Sequence, residues 1–230
     1  MKVLSIETAC EHGSVALLLD GAVHVRRIQG AANHSEAVLR DLRELLAEAG
    51  LAVTQLDAIA FGAGPGAFTG LRLACGVAQG IALAAGLGVA AVSSLQAIAL
   101  QSAADRVFVA TDARMGEVYH GAFVRDAVGV PQLVGAYSCT APEDIGIPPG
   151  DWFAAGSAFR VWPEALTARL RTRLTGCAGD LVPRAEEVAR LGAFAVEREQ
   201  LTAPELAAPL YVRDKVAFTT AERLARGGRA

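Results

Sequence analysis

The chain has 230 residues, 53% of them hydrophobic and 20% charged, enough to bury one large core or two small ones and too apolar for a disordered segment. A formal net charge of -3 gives no global attraction to nucleic acid, which argues against a stand-alone RNA binder. Cys10, Cys75, Cys139 and Cys177 are scattered with no Cys-x-x-Cys spacing, and Met1-Lys2-Val3-Leu4 enters a strand without a signal-peptide pattern, so reduced thiols in a cytoplasmic protein are expected.

Met1 to Glu7 reads as a strand on Val3, Leu4 and Ile6, and Ser14 to Leu19 as a second. Asp20-Gly21 joins the latter to Ala22-Val23-His24-Val25, because both central residues of a tight hairpin need positive φ. Between the first two strands, Glu7 to Ser14 forms a polar loop at a buried strand end. In a nucleotide-binding lobe a carboxylate there would hold a metal-bound phosphate; the alternative is a surface hairpin. Ser35 is the expected cap of a helix reaching Ala49, with Gly50 as its stop. Val38 and Leu45 widen an apolar stripe made by Leu39, Leu42 and Leu46.

Leu56 to Phe61 is the next strand. It runs into Gly62-Ala63-Gly64-Pro65-Gly66-Ala67-Phe68-Thr69-Gly70-Leu71-Arg72, and Leu71 to Ala85 follows as a helix with Thr69 as its expected N-cap. Glycines and a helix start together can bind an anion through backbone amides. Glu7, Thr8, Gly64, Gly66, Thr69 and Gly70 are therefore the candidate phosphate or nucleotide residues, with a tight turn that packs helix on sheet as the alternative. The loop is not a Walker motif, since Phe68 stands where the lysine would be. No charge occurs between Arg72 and Asp105, a run longer than the ~20 residues that span a bilayer. Gly86, Gly88, Ser93, Ser94, Gln96 and Gln101 break it into a buried helix, a strand (Gly88 to Val92) and a helix from Ser94 to about Ala104, so no membrane span is expected.

The second half echoes the first. Val107 to Ala113 repeats the pattern of Val3 to Ala9, a buried strand ending on an acid, which suggests a duplicated lobe. Val118 to Val124, Gln132 to Ser138 and Trp152 to Ala155 are further strands. Ala158 to about Leu174 leans helical, Pro183 to Glu199 is a helix, Ala203 to Val212 an extended tail, and Arg223 to Ala230 a frayed end. The expected division is an N-terminal lobe at 1–104 and a smaller, degenerate lobe at 105–230.

The order βββαβαβα, the glycine string, Ile6-Glu7-Thr8-Ala9 and Pro209-Leu210-Tyr211-Val212-Arg213 together resemble the TsaB (YeaZ) family. The resemblance covers most of the chain and is weakest between Val128 and Leu181. It implies an α/β, two-lobed, actin-like fold of duplicated ribonuclease-H-like units. It also implies a non-catalytic assembly and dimerisation subunit for the threonylcarbamoyl transferase TsaD, which forms threonylcarbamoyladenosine in tRNA, with a TsaE-type ATPase as third partner. Homodimerisation in the transferase's absence, and tRNA contact only through the complex, belong to the same expectation. No cofactor is then required of this subunit, with room for ATP or ADP at the complex interface. Many members carry Asp where Glu7 stands.

The catalytic relatives carry a His-x-x-x-His pair on a helix, whose imidazoles hold a metal; Ser94 and Ile98 occupy those positions here. His12, His24, His34 and His120 include no i, i+4 pair, so no metal or catalytic residue is expected. The rival expectation is an enzyme acting alone, an ATP-dependent transferase or a glycoprotease-like peptidase using Ser93, Ser94 or Cys75 as nucleophile. A third is RNA binding through Arg169, Arg171, Arg173 and Arg184. On the leading expectation the partner face lies on two helices, through Val38, Leu42 and Leu45 of the first and Leu73, Gly76, Val77 and Gly80 of the second. Gly76 and Gly80 would let another helix approach closely, and Arg72 is expected to face solvent, a carboxylate or an anion.

Overall fold

The computed structural model describes residues 1–29 and 34–213. The frayed end expected at Arg223 to Ala230 lies outside them. Strands β1 (Lys2–Glu7), β2 (His12–Leu19) and β3 (Ala22–Gln29) form an antiparallel meander. Its second turn is the Asp20-Gly21 pair at φ 48° and 92°. Helix α1 (His34–Glu48) then leads to β4 (Ala58–Gly64), α2 (Phe68–Ala85), β5 (Val89–Ser93) and α3 (Ser94–Leu100). Both β4 and β5 join the sheet in parallel, in the order β3-β2-β1-β4-β5.

The second sheet repeats this plan. β6 (Arg106–Asp112), β7 (Val118–Arg125) and β8 (Pro131–Thr140) form the meander, and β9 (Trp152–Ala155) pairs parallel to β6. After α4 (Ala158–Val161) and α5 (Pro163–Leu170), β10 (Leu174–Ala178) completes the order β8-β7-β6-β9-β10. The two sheets thus have the same topology, and the acids Glu7 and Asp112 end equivalent strands, as the sequence echo suggests.

Every residue of β1 after Lys2 is buried, because helices cover both faces of the first sheet. On one face Leu4, Ile6 and Phe61 pack with Val38, Leu42 and Leu45 of α1 and Ala74, Ala78 and Ala82 of α2. The other face is covered from far along the chain, by α6 (Ala185–Glu197), whose Val188, Ala189 and Leu191 meet Val3, Ala60 and Ala90. Gly192 permits that approach, since a Cβ there would stand 2.7 Å from Ala60 Cβ. Conversely Leu95, Ile98 and Ala99 of α3 pack on Val107, Val109 and Phe123 of the second sheet.

A boundary at 104 therefore separates the sheets but not their packing, for each half of the sequence supplies a helix to the other half's sheet. The remaining face of the second sheet is closed by Ile145, Ala158, Leu166 and Leu170 against Phe108 and Trp152.

Several boundaries differ from the sequence expectation. The N-cap of α2 is Ala67, not Thr69: Ala67 is held by its own N–H on the Ala9 carbonyl at 2.7 Å, and its carbonyl accepts from Leu71 N. Ser35 lies inside α1 rather than capping it. Helix α6 starts two residues after Pro183, where Ser14 Oγ accepts from Ala185 N at 2.9 Å and satisfies a first-turn donor. The segment from Ala158 to about Leu174 that leans helical breaks at Pro163 and ends before β10, a short strand whose register on β9 shifts between Leu174 and Gly176.

Among the described residues α2 alone is long and apolar enough to cross a membrane. Leu71, Ala74, Cys75, Ala78 and Ala82 turn one of its faces into the fold, and Gly86 at φ 68° ends it.

Candidate functional site

The glycine loop is filled by the chain itself. A Cβ on Gly62 would stand 1.9 Å from Glu7 Oε2, on Gly66 2.6 Å from Ala9 Cβ and carbonyl oxygen, and on Gly70 1.8 Å from the Thr8 carbonyl oxygen. Gly64 has φ 108° and abuts Leu71. Thr8 Oγ1 donates to the Gly70 carbonyl at 2.7 Å, closing the contact from the other side. Of the six candidate phosphate residues, Glu7, Thr8 and Gly64 are buried, and Gly66 and Gly70 lie against residues 8 and 9; only Thr69 is exposed. The six do not converge on an open anion site. Gly66 and Gly70 admit residues 8 and 9, and Gly64 admits the Leu71 side chain and the Leu210 carbonyl, which is the packing that a tight turn of helix on sheet requires.

Glu7 is fully buried, with Oε1 accepting from Ala9 N at 2.6 Å and Oε2 from Ser94 Oγ at 2.8 Å. Burial outweighs both bonds and pushes its carboxyl up to about 7. Burial, reinforced by the charge of Glu7, pushes the Cys10 thiol up to about 12, so it holds its proton at neutral pH. Burial pulls His120 down to about 4; its Nε2 lies 3.1 Å from Thr140 Oγ1.

Each of the proposed nucleophiles is hydrogen-bonded within the fold. Ser93 caps α3 by accepting from Gln96 N, Ser94 holds Glu7, and buried Cys75 donates to the Ala207 carbonyl. Ile98, the second position of the relatives' histidine pair, is fully buried in the core. Of the arginines proposed for RNA, Arg169 donates to the Ile145 carbonyl and Arg173 to those of Ile147 and Pro148. These two bonds anchor the segment before β9 from exposed side chains.

Val38, Leu42 and Leu45 are not surface residues. They are 0%, 2% and 3% exposed and belong to the first core, because the wide stripe of α1 is taken up by β2, β3 and α2. Substituting them would cost about 2–5 kcal/mol of fold stability and report on the core rather than on docking. The second helix differs. Gly76 and Gly80 are exposed, and among the described residues a Cβ on either meets nothing within 4 Å. Leu73 and Val77 are half-buried beside them, and Leu83 is 70% exposed.

Phe68, Arg72, Gly76 and Gly80 thus form an i, i+4 ridge along α2. Arg72 is exposed as expected, but its partners are aromatic: its guanidinium lies 3.9 Å from the Phe68 ring centre, and Nε donates to Tyr211 Oη at 3.1 Å. The extended tail runs beside this ridge. Gln79 Nε2 donates to the Ala207 carbonyl at 3.0 Å and Leu210 N to that of Ala63 at 2.7 Å, so the tail covers one flank and leaves Gly76 and Gly80 open. Tyr211 and Arg72 both lie in sequence motifs, but no sequence signal says that they meet.

Over 227 residues, 95% of this chain and 97% of its relative, the sequence is 34% identical to the tRNA threonylcarbamoyladenosine biosynthesis protein TsaB of Escherichia coli. The chain belongs to the TsaB (YeaZ) family. TsaB of Haemophilus influenzae is 42% identical over 134 residues, 56% of each chain. The solved structure of YeaZ from Pseudomonas aeruginosa superposes with a TM-score of 0.81 at 37% identity, covering 91% of this chain and 100% of that one.

Residues 28–219 match the family model described as TsaD: tRNA N6-adenosine threonylcarbamoyltransferase. The two-lobed α/β architecture of this TsaB-family chain is therefore shared with proteins of that transferase family. Within that shared fold, Ser94 and Ile98 here are core residues, one bonded to Glu7 and the other packed on the second sheet.

Proposed function

We propose that the chain acts in tRNA threonylcarbamoyladenosine biosynthesis as a non-catalytic assembly subunit, docking its α2 ridge on a TsaD-type transferase. The open ridge carries this proposal. Two glycines one turn apart with free space above them let a partner helix approach the backbone of α2, and Leu73, Val77 and Leu83 supply apolar surface around them. The same ridge serves a second copy of the chain when the transferase is absent.

A TsaE-type ATPase is the third member of the assembly, with any ATP or ADP held at the complex interface and tRNA reached only through the complex, in the cytoplasm. Support for a non-enzymatic role comes from the site. Glu7 and Thr8 are buried beneath the glycine loop, and Ser93, Ser94 and Cys75 each hydrogen-bond within the fold.

The test is reconstitution. Purified chain given threonylcarbamoyl-adenylate and tRNA leaves the tRNA unmodified, and adding the transferase and ATPase yields modified tRNA at a rate that depends on this chain. Modification by the chain alone, or equal rates without it, would refute the proposal.

A further inference from the structure

We propose that residues 207–213 form a strap that couples the two lobes, with Arg213 the positioning residue that fastens it to the second lobe. This coupling is independent of which partner α2 takes.

The first-lobe end of the strap is bonded to two elements. The Ala207 carbonyl accepts from Gln79 Nε2 at 3.0 Å and Cys75 Sγ at 3.5 Å, both on α2, and Leu210 N donates to Ala63 in β4. The Leu210 carbonyl oxygen would lie 3.2 Å from a Cβ on Gly64, so the strap runs directly over the glycine loop. Tyr211 then packs on Phe68, with ring centres 5.7 Å apart and the rings tilted by 35°.

At its other end the strap enters the second lobe. Arg213 Nη2 donates to the carbonyls of Ala113 at 2.9 Å and Arg114 at 3.2 Å and pairs with Glu117 at 2.6 Å; its guanidinium lies 5.5 Å from the Tyr119 ring centre. Its side chain is 11% exposed. A guanidinium so covered needs these acceptors, and it is too well placed to be a surface charge.

The contacted segment is itself unusual. Arg114, Met115 and Gly116 at the β6–β7 turn have φ of 61°, 57° and 78°, and left-handed backbone at two successive non-glycine residues is costly. Arg213, donating to the Ala113 and Arg114 carbonyls, holds this turn from outside it. The strap therefore joins the α2 ridge, through Tyr211 and Gln79, to a strained turn in the other lobe, and a shift at either end is transmitted to the other.

Hydrogen exchange by mass spectrometry on the full chain tests this in both directions. Arg213→Ala should speed exchange about tenfold or more at residues 113–117 and also at Leu210, whose amide it does not touch. Gln79→Ala, at the far end, should speed exchange at 113–117. Arg171→Ala, an exposed arginine outside the strap, should do neither.

Changes confined to the substituted end, or exchange at 113–117 within about twofold of the parent in Gln79→Ala, would overturn the proposal. Should Arg213→Ala not fold, Arg213→Lys keeps the charge, loses the fork and is judged by the same two regions.

Discussion

The backbone oxygen of Thr8 lies where Gly70 would carry its Cβ, at 1.8 Å, and Thr8 Oγ1 bonds back to the Gly70 carbonyl. No side chain on Gly70 can be accommodated without moving the β1–β2 loop off the start of α2. Gly70→Ala should therefore cost about 3 kcal/mol or more, and Gly66→Val about as much, since its Cβ meets Ala9 backbone. Gly76→Ala and Gly80→Ala, with open space and helical backbone, should instead stabilise the isolated chain by about 0.5–1 kcal/mol. Denaturant midpoints decide it; an unchanged midpoint for Gly70→Ala would contradict the packing described.

Glu7 gives the fold a pH dependence of known sign. Its ordinary value is 4.5 and its folded value about 7, so between the two the folded chain holds a proton the unfolded chain has released. The contribution is full below about pH 4.5 and is lost as pH rises through about 7. Glu7→Gln should remove this loss, so that between pH 5 and 8 its denaturant midpoint falls less than the parent's. Ser94→Ala deletes a bond that favours the ionised form and should push Glu7 higher still. Parallel pH profiles for the parent and Glu7→Gln would show that Glu7 does not titrate in this window.

Arg125 ties the end of α3 to the β7–β8 turn, its guanidinium donating to the carbonyls of Leu100, Ser102, Ala104 and Gly129. Arg125→Ala leaves these acceptors unpaired and should destabilise the chain by about 2–4 kcal/mol. Arg125→Lys, with one donor head instead of a fork, should recover less than half of that. Thermal melts of the three proteins compare them; equal melting would mean that water replaces the guanidinium without cost.

Much of the fold was legible because it rests on local signals. The Asp20-Gly21 turn, the helix stop at Gly86 and the echo of Glu7 in Asp112 are each carried by a few adjacent residues. What was not legible depends on residues distant in sequence. Nothing near Val188 says that α6 will cross to the first sheet, and nothing near Gly62 or Gly70 says that the occupant of their missing side chains is residues 7 and 8. The stripe of α1 misled for the same reason: Val38 and Leu45 are apolar whether a core or a partner covers them. In α2, by contrast, Gly76 and Gly80 mark a face that the described residues do not cover.

The central claim is that the α2 ridge docks the transferase, and co-purification tests it most directly. Gly80→Glu and Gly76→Glu place a charge in open space, so each variant should fold with a denaturant midpoint close to the parent's. Each should lose binding to the TsaD-type transferase by about a hundredfold or more, through bulk and a desolvated charge at close helix contact. Folded variants that bind the transferase as tightly as the parent would place the interface elsewhere and contradict the account.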